Sequence, residues 1–382
     1  MAAIYRDAYI TIAATQCSST LDGLFPSDVE VKSASEQGLQ LSALRTVQNP
    51  PFIMGMGGQP PQEEILQLFP LLTRAWVFQE RLLSTRVLHF GPQELCWECK
   101  STMVTQTMPK MGNLRIKWEP YFLTHFITKP SHDYYITSTD SSPRQRWASL
   151  VEEYTKLRLT YISDRLPAIS GLAASMYEAQ PGRYLAGLWS DTIFQDMTWR
   201  ALSAEEPITP WQAPSWSWAS VRSEITYEAR EKGWMPSVIR RSPPQRPIPE
   251  AQLLEVDIVS KGPNEMGPLL AASLKVRGEL FPAHLKSLSE DALYGRGSIY
   301  WDTKTHTEYK ICYWTVTKER KCPSCNSVPL YHIKLFPPSR SWNWCLILEP
   351  ISFEKAEYKR IGVTGMEVAY AEGIEPEDFT FL

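Results

Sequence analysis

The chain has 382 residues, 43% of them hydrophobic and 21% charged, with a formal net charge of −3. At roughly 150 residues per domain this is room for two or three modules, and a chain this long and apolar buries a core rather than staying disordered. The near balance of charge gives no general attraction for nucleic acid or anionic lipid, and no run approaches the ~18–20 apolar residues of a membrane span.

The first residues do not read as a secretory signal, because Arg6 and Asp7 precede a short run of apolar or small residues. Seven cysteines is an odd number, thinly spread. That fits a reducing compartment, and the expected location is cytoplasmic. Ala8 to Ala14 (AYITIAA) suits a strand covered on both faces. Such a strand needs neighbours on both sides, so the chain is expected to begin within a domain. Residues 26–70 carry turn and loop signals. Thr73 is a candidate N-cap for a helix from Arg74 to Leu83. Val87 to Phe90 and Gln93 to Glu98 read as two strands around a Gly91-Pro92 turn.

After a polar loop over 128–145, Trp147, Leu150, Val151, Tyr154 and Leu157 recur at helical spacing. Asp164 looks like the cap of another helix, with Pro167 in its first turn and Leu166, Ile169, Leu172, Ala173 and Met176 inside. A shorter helix is expected over Asp191 to Leu202. Pro214 to Ser220 (PSWSWAS) alternates, which puts Trp216 and Trp218 on one face of a strand and the serines on the other. Residues 236–249 are a Pro-rich linker. Beyond it, segments such as LLEVDIV, YHIKLF and CLILEPISF predict a mostly antiparallel β module.

Four blocks resemble fungal heterokaryon-incompatibility (HET) domain proteins. They are IYRDAYITIAA over 4–14 with Gly23-Leu24-Phe25, PLLTRAWVFQERLLS over 70–84 with RVLHF over 86–90, CWEC over 96–99, and a C-terminal flank. That flank consists of SDRLPA over 163–168, AGLW over 186–189 and APSWSWAS over 213–220; YKRIGV over 358–363 resembles the usual ending. The family's opening blocks, of the types LSYCWG and WIDALCIDQ, do not occur in the sequence. The resemblance therefore implies an α/β chain holding only the C-terminal part of a TIR-like HET domain (1–130). A helical, Trp-rich flank (140–235) and a β-rich module (250–382) follow. The family implies fungal non-self recognition and programmed cell death, with incompatibility or cell-death signalling proteins as partners and self-association as an option. Some TIR domains cleave NAD with a glutamate four residues after a tryptophan, the spacing of Trp76 and Glu80. A non-enzymatic signalling module and an inactive remnant are the alternatives.

On a helix Trp76, Glu80 and Leu83 share a face. A carboxylate on an apolar stripe is desolvated, which suits it to acid/base work, to binding ribose hydroxyls or to stabilising an oxocarbenium-like centre. The plainer reading pairs Glu80 with Arg74 or Arg81. Arg81, like Arg86, could clamp a pyrophosphate or be salt-bridged, so Glu80 is the catalytic candidate, with Trp76 and Arg81 as cofactor contacts. His89, in the apolar strand Val87 to Phe90, reads better as a satisfied core or edge histidine than as a catalytic one, and its alternation with Leu88 and Phe90 leaves the solvent face open to it. Cys322-Pro-Ser-Cys325 is half a zinc site that His332, Cys312 or Cys345 could complete, and the stronger reading there is without metal. Cys96 and Cys99 face opposite sides of a strand, which suits neither metal nor redox use. The tryptophans at 189, 199, 211, 216 and 218 fit core packing better than a stacking surface.

Overall fold

The apolar run near the start forms strand β1, Thr11–Ala13, which pairs in parallel with β2, Arg86–Phe90. Parallel neighbours need a crossover, and the chain supplies helix α2, Ala75–Leu83, just before β2. Strands β3, Leu95–Cys99, and β4, Met103–Thr105, continue the sheet antiparallel in the order β1-β2-β3-β4. A short helix α1, Ala2–Asp7, precedes β1 and has no counterpart in the sequence reading. The structure is a computed structural model that describes residues 1–24, 69–91, 95–99, 103–105, 143–177, 182–227, 251–287, 297–302, 309–312, 329–334, 343–366 and 375–382. Helices and sheets both contribute, so the chain is of mixed α and β class. Its contacts divide it into one unit of Met1–Asp140 with Leu157–Leu159, and a second of Ser141–Lys156 with Thr160–Leu382.

Strand β1 is not covered on both faces as expected. Ala13 is buried but Ile12 is 61% exposed. Among the described residues β1 is the edge of its sheet, and Ile12 opens a cross-strand row with Leu88 and Trp97, both half-buried. The opposite face holds the buried Val87, His89 and Cys96.

In the second unit, helix α3, Pro143–Thr155, buries Trp147, Leu150, Val151 and Tyr154 at the spacing the sequence predicts. Asp164 and Pro167 do not open one long helix. Each sits in its own 3-10 turn, and the α-helix, α4, spans only Ser170–Tyr177. The predicted inner residues Leu166, Ile169, Leu172, Ala173 and Met176 are all buried. A tight hairpin follows, β5 Tyr184–Leu185 and β6 Leu188–Trp189. Its two-residue turn, Ala186-Gly187, takes positive φ at both positions (47° and 98°), the geometry that matches strand twist. The helix expected over 191–202 shrinks to α5, Ile193–Asp196, because Trp199–Ala201 is drawn into strand β7 by pairing with β8, Ile225–Tyr227.

Residues 214–220 are a turn and a 3-10 segment, not a strand. Trp216, Ser217 and Trp218 are all fully buried, so no solvent face exists to alternate with. The serine hydroxyls serve backbone groups instead: Ser217 donates to the Ala186 carbonyl at 2.5 Å, and Ser220 to the Ser217 carbonyl at 2.7 Å. Of the five tryptophans weighed as a stacking surface, 189, 199, 216 and 218 are core, while Trp211 is 45% exposed.

The β-rich region forms a nine-stranded sheet. Its strands are β9 Gln252–Ser260, β10 Leu269–Gly278, β11 Leu280–Ser287, β12 Gly297–Trp301, β13 Tyr309–Cys312, β14 Pro329–Lys334, β15 Asn343–Ser352, β16 Glu357–Met366 and β17 Glu377–Phe381. The order is β13-β11-β14-β15-β16-β17-β10-β9, with β12 also on β16. All pairs are antiparallel except a short parallel contact of β16 with β17. Strands β17 and β12 take opposite ends of β16 and leave Arg360 between them. There the Arg360 backbone N–H donates to Ser215 Oγ at 2.9 Å. The Arg360 guanidinium pairs with Asp302, donates to the carbonyls of Met197 and Trp199 at 2.7 Å each, and lies 3.4 Å over the Trp199 ring. The Trp-rich segment and the β sheet thus share one buried polar joint. The Pro-rich segment 236–249 lies outside the described residues.

Candidate functional site

Helix α2 is set by both of its ends. Thr73 does not cap it: its hydroxyl donates back to the Pro70 carbonyl at 2.8 Å, within a 3-10 turn. Arg74 occupies the cap position without a side-chain bond, and the Ala75 N–H instead donates to the Arg158 carbonyl at 2.9 Å. A carbonyl from the chain 83 residues away satisfies the orphan donor that a Thr cap would have taken. At the other end the Ser84 hydroxyl donates to the Glu80 carbonyl at 2.7 Å and meets Thr11 Oγ1 at 2.7 Å. That contact joins the helix end to β1.

Ala75, Gln79, Leu82 and Leu83 form the buried stripe of α2. Burying each leucine stabilises the packing by about 1.5–3 kcal/mol. Trp76 and Glu80 are neighbours one turn apart, but they flank this stripe and are half-buried. The buried polar position belongs to Gln79, so the expectation of Glu80 on the apolar stripe is corrected by one residue. The Tyr5 phenol of α1 sits against Glu80. Burial first, and then the nearby carboxylate, push Tyr5 up to about 12.

Arg81 does not pair with Glu80. Its Nε and a terminal nitrogen donate to the two carboxylate oxygens of Glu98 on β3, at 2.8 and 2.9 Å. This two-pronged pair holds the azimuth of α2 against the sheet. Glu98 Oε2 also meets His89 Nε2 at 2.8 Å, and His89 Nδ1 meets Thr15 Oγ1 at 3.0 Å. His89 is 1% exposed, so the solvent-face alternative for it is overturned. The inward pleat of β2 puts it beside Val87, on the face that Arg81 reaches. Burial works against the charged form of Glu98, but the Arg81 charge and the His89 and Arg81 hydrogen bonds overcome it and hold the carboxyl at about 2. Burial also lowers the pKa of His89; the Glu98 hydrogen bond opposes this and the Arg81 charge adds to it.

The Thr15–His89–Glu98–Arg81 chain was not legible as a unit in the sequence. The one signal for it was a charged residue, Glu98, alternating in phase with the buried Cys96 on an otherwise apolar strand. The order hydroxyl, imidazole, carboxylate resembles that of a nucleophilic triad. Thr15 is fully buried, however, and its hydroxyl also reaches the Ala13 carbonyl at 3.2 Å. The half-buried pair Trp76 and Glu80 lies on the same helix as Arg81, and α2 is the element where the predicted residues gather.

The remaining candidates are less concentrated. Cys96 is buried and Cys99 half-buried, at odd separation on β3. Cys322 and Cys325 lie outside the described residues. Among the described residues no group of three or more His, Cys, Asp or Glu side chains could hold a metal ion, and no helix is long and apolar enough to cross a membrane. Comparison with protein-family models, curated proteins and solved structures returns no match.

Proposed function

We propose that this chain is a HET-like protein of fungal non-self recognition and programmed cell death, acting in the cytoplasm, with α2 as its working element through TIR-like cleavage of NAD. The observation that carries this reading is the half-buried Glu80 one turn beyond Trp76, with its neighbour Arg81 engaged by Glu98. A carboxylate at a helix flank beside an indole, with the Tyr5 phenol against it, can take ribose hydroxyls or face a developing oxocarbenium centre. Trp76 offers a ring against which a nicotinamide or adenine stacks. Arg81, whose Nε and one terminal nitrogen are bound to Glu98, is the further residue proposed for cofactor contact. The test is NAD consumption by the purified, folded chain beside Glu80→Gln. Turnover that falls by at least about 100-fold in the variant, the scale of a lost acid/base group, supports the reading. Turnover that survives removes Glu80 from it.

A second reading, a non-enzymatic module that signals by association, draws on a different observation. Ile12, Leu88 and Trp97 form an apolar row on one face of the sheet, and Ile4 and Tyr9 are exposed nearby in sequence. A folded chain without NAD turnover, whose concentration-dependent association is lost in Ile12→Asp, would favour it over catalysis.

A further inference from the structure

The proton inventory of the buried chain Thr15–His89–Glu98–Arg81 is closed by its geometry. An ionised carboxylate only accepts, and Glu98 takes two N–H groups from Arg81. The 2.8 Å contact to His89 Nε2 therefore requires a proton on Nε2. In a neutral ring Nδ1 is then an acceptor, and the Thr15 hydroxyl must donate to it across 3.0 Å. In a charged ring Nδ1 donates instead, and the Thr15 hydroxyl turns to the Ala13 carbonyl at 3.2 Å. That carbonyl is not orphaned in the first arrangement, because it already accepts the Thr15 backbone N–H at 2.9 Å. Both arrangements satisfy every member of the chain. They differ by one proton and one hydroxyl rotation.

We propose that these four residues form a proton-dependent latch, held closed by neutral, Nε2-protonated His89, that fixes the end of β1 and the helix α2 to the sheet. In the closed state the ion pair of Arg81 and Glu98 is neutral overall. A proton on His89 adds a net positive charge on a ring whose side chain is 2% exposed. The groups that face the ring are Glu98 from β3, Arg81 from α2 and the Thr15 hydroxyl after β1, with the Cys96 thiol opposite it on β3. Only Glu98 favours the added proton, and its carboxylate is already shared with Arg81. The closed ring therefore resists the proton that an opened, hydrated His89 accepts, so acid favours opening and loosens the latch at α2, the element that carries Trp76 and Glu80. The inference does not depend on the activity proposed for Glu80.

The first test needs no variant that could fail to fold. Long-range nitrogen–proton correlation of the histidine rings in the intact chain reports the tautomer directly. His89 is expected to show a protonated Nε2 and an unprotonated Nδ1 at about pH 7.5, and to keep that signature at a pH where exposed imidazoles are charged. A protonated Nδ1 in the neutral ring, or titration with the exposed histidines, overturns the proposal. The second test is hydrogen exchange of residues 75–83, corrected for intrinsic rates. Protection of this segment is expected to fall between about pH 7.5 and pH 5.5, with the fall lost in His89→Gln, whose amide can still donate to Glu98. Equal falls in both proteins overturn the latch.

Discussion

Gly187 is required by its surroundings. Its φ of +98° is one that side-chain-bearing residues avoid, and an added Cβ would lie 2.6 Å from the Trp218 Nε1. Its carbonyl accepts the indole N–H of Trp147 at 2.8 Å and of Trp218 at 3.0 Å. The AGLW and APSWSWAS blocks, 24 residues apart, thereby meet at one backbone oxygen. Gly187→Ala is expected to cost at least about 2 kcal/mol, from strained backbone and displaced Trp218 together, measured by urea denaturation. Ala186, at a φ of +47°, already carries a Cβ in a backbone conformation that glycine adopts more freely, and Ala186→Gly is expected to be close to neutral or stabilising in the same assay. At this scale the sequence already pointed to the right tryptophans; that they bind one carbonyl follows from a hairpin turn no local pattern announces.

At the scale of elements, the sheet of the first unit is tied to α2 by charge. Glu98 is held at about 2, below its ordinary 4.5, so the stability it contributes is full above 4.5 and is lost as pH falls toward 2. His89 has the same sign in a higher window. Its folded pKa lies below its ordinary 6.5, so stability is full above 6.5 and declines as acid charges the unfolded imidazole but not the buried one. Glu98→Gln is expected to remove the lower window and to destabilise by about 3 kcal/mol at neutral pH, because Arg81 is left largely buried without its counter-charge. Chemical denaturation across pH reads both effects. The helix that carries these groups was visible from its 3.6-residue period. Its start was misplaced at Thr73 because the donor that a Thr cap serves is taken by the carbonyl of Arg158, far along the chain. His89 was assigned to either face for a related reason: a polar residue on a five-residue strand does not reveal that an arginine and a glutamate from other elements await it.

At the scale of the molecule, the division into two units predicts two thermal transitions by calorimetry. Glu98→Gln is expected to lower one. Arg360→Met is expected to lower the other by the equivalent of about 3–5 kcal/mol, since it leaves Asp302 buried beside the unpaired carbonyls of Met197 and Trp199. A single transition moved alike by both variants would contradict the division. Strands β9, β10, β13, β14, β15 and β16 of the large sheet are legible in the sequence, because alternation is a local consequence of a two-residue repeat, whereas Trp199–Ala201 of β7 reads there as helix. The order of the sheet is not, since β10 pairs with β17, where Gly278 meets Glu377 from 99 residues along the chain.

By itself the sequence determined the mixed α and β class, the period of α2 and α3, the alternation of the C-terminal strands and the burial of four tryptophans. Each depends on hydrophobic spacing over a few residues, which acts wherever the segment is placed. Only the tertiary structure decided that Gln79 rather than Glu80 fills the buried polar position of α2, that PSWSWAS is a turn, and that Arg81, Glu98, His89 and Thr15 share protons. Those outcomes depend on which distant group arrives to satisfy a buried donor, acceptor or charge, and a buried polar group takes whichever partner the fold delivers.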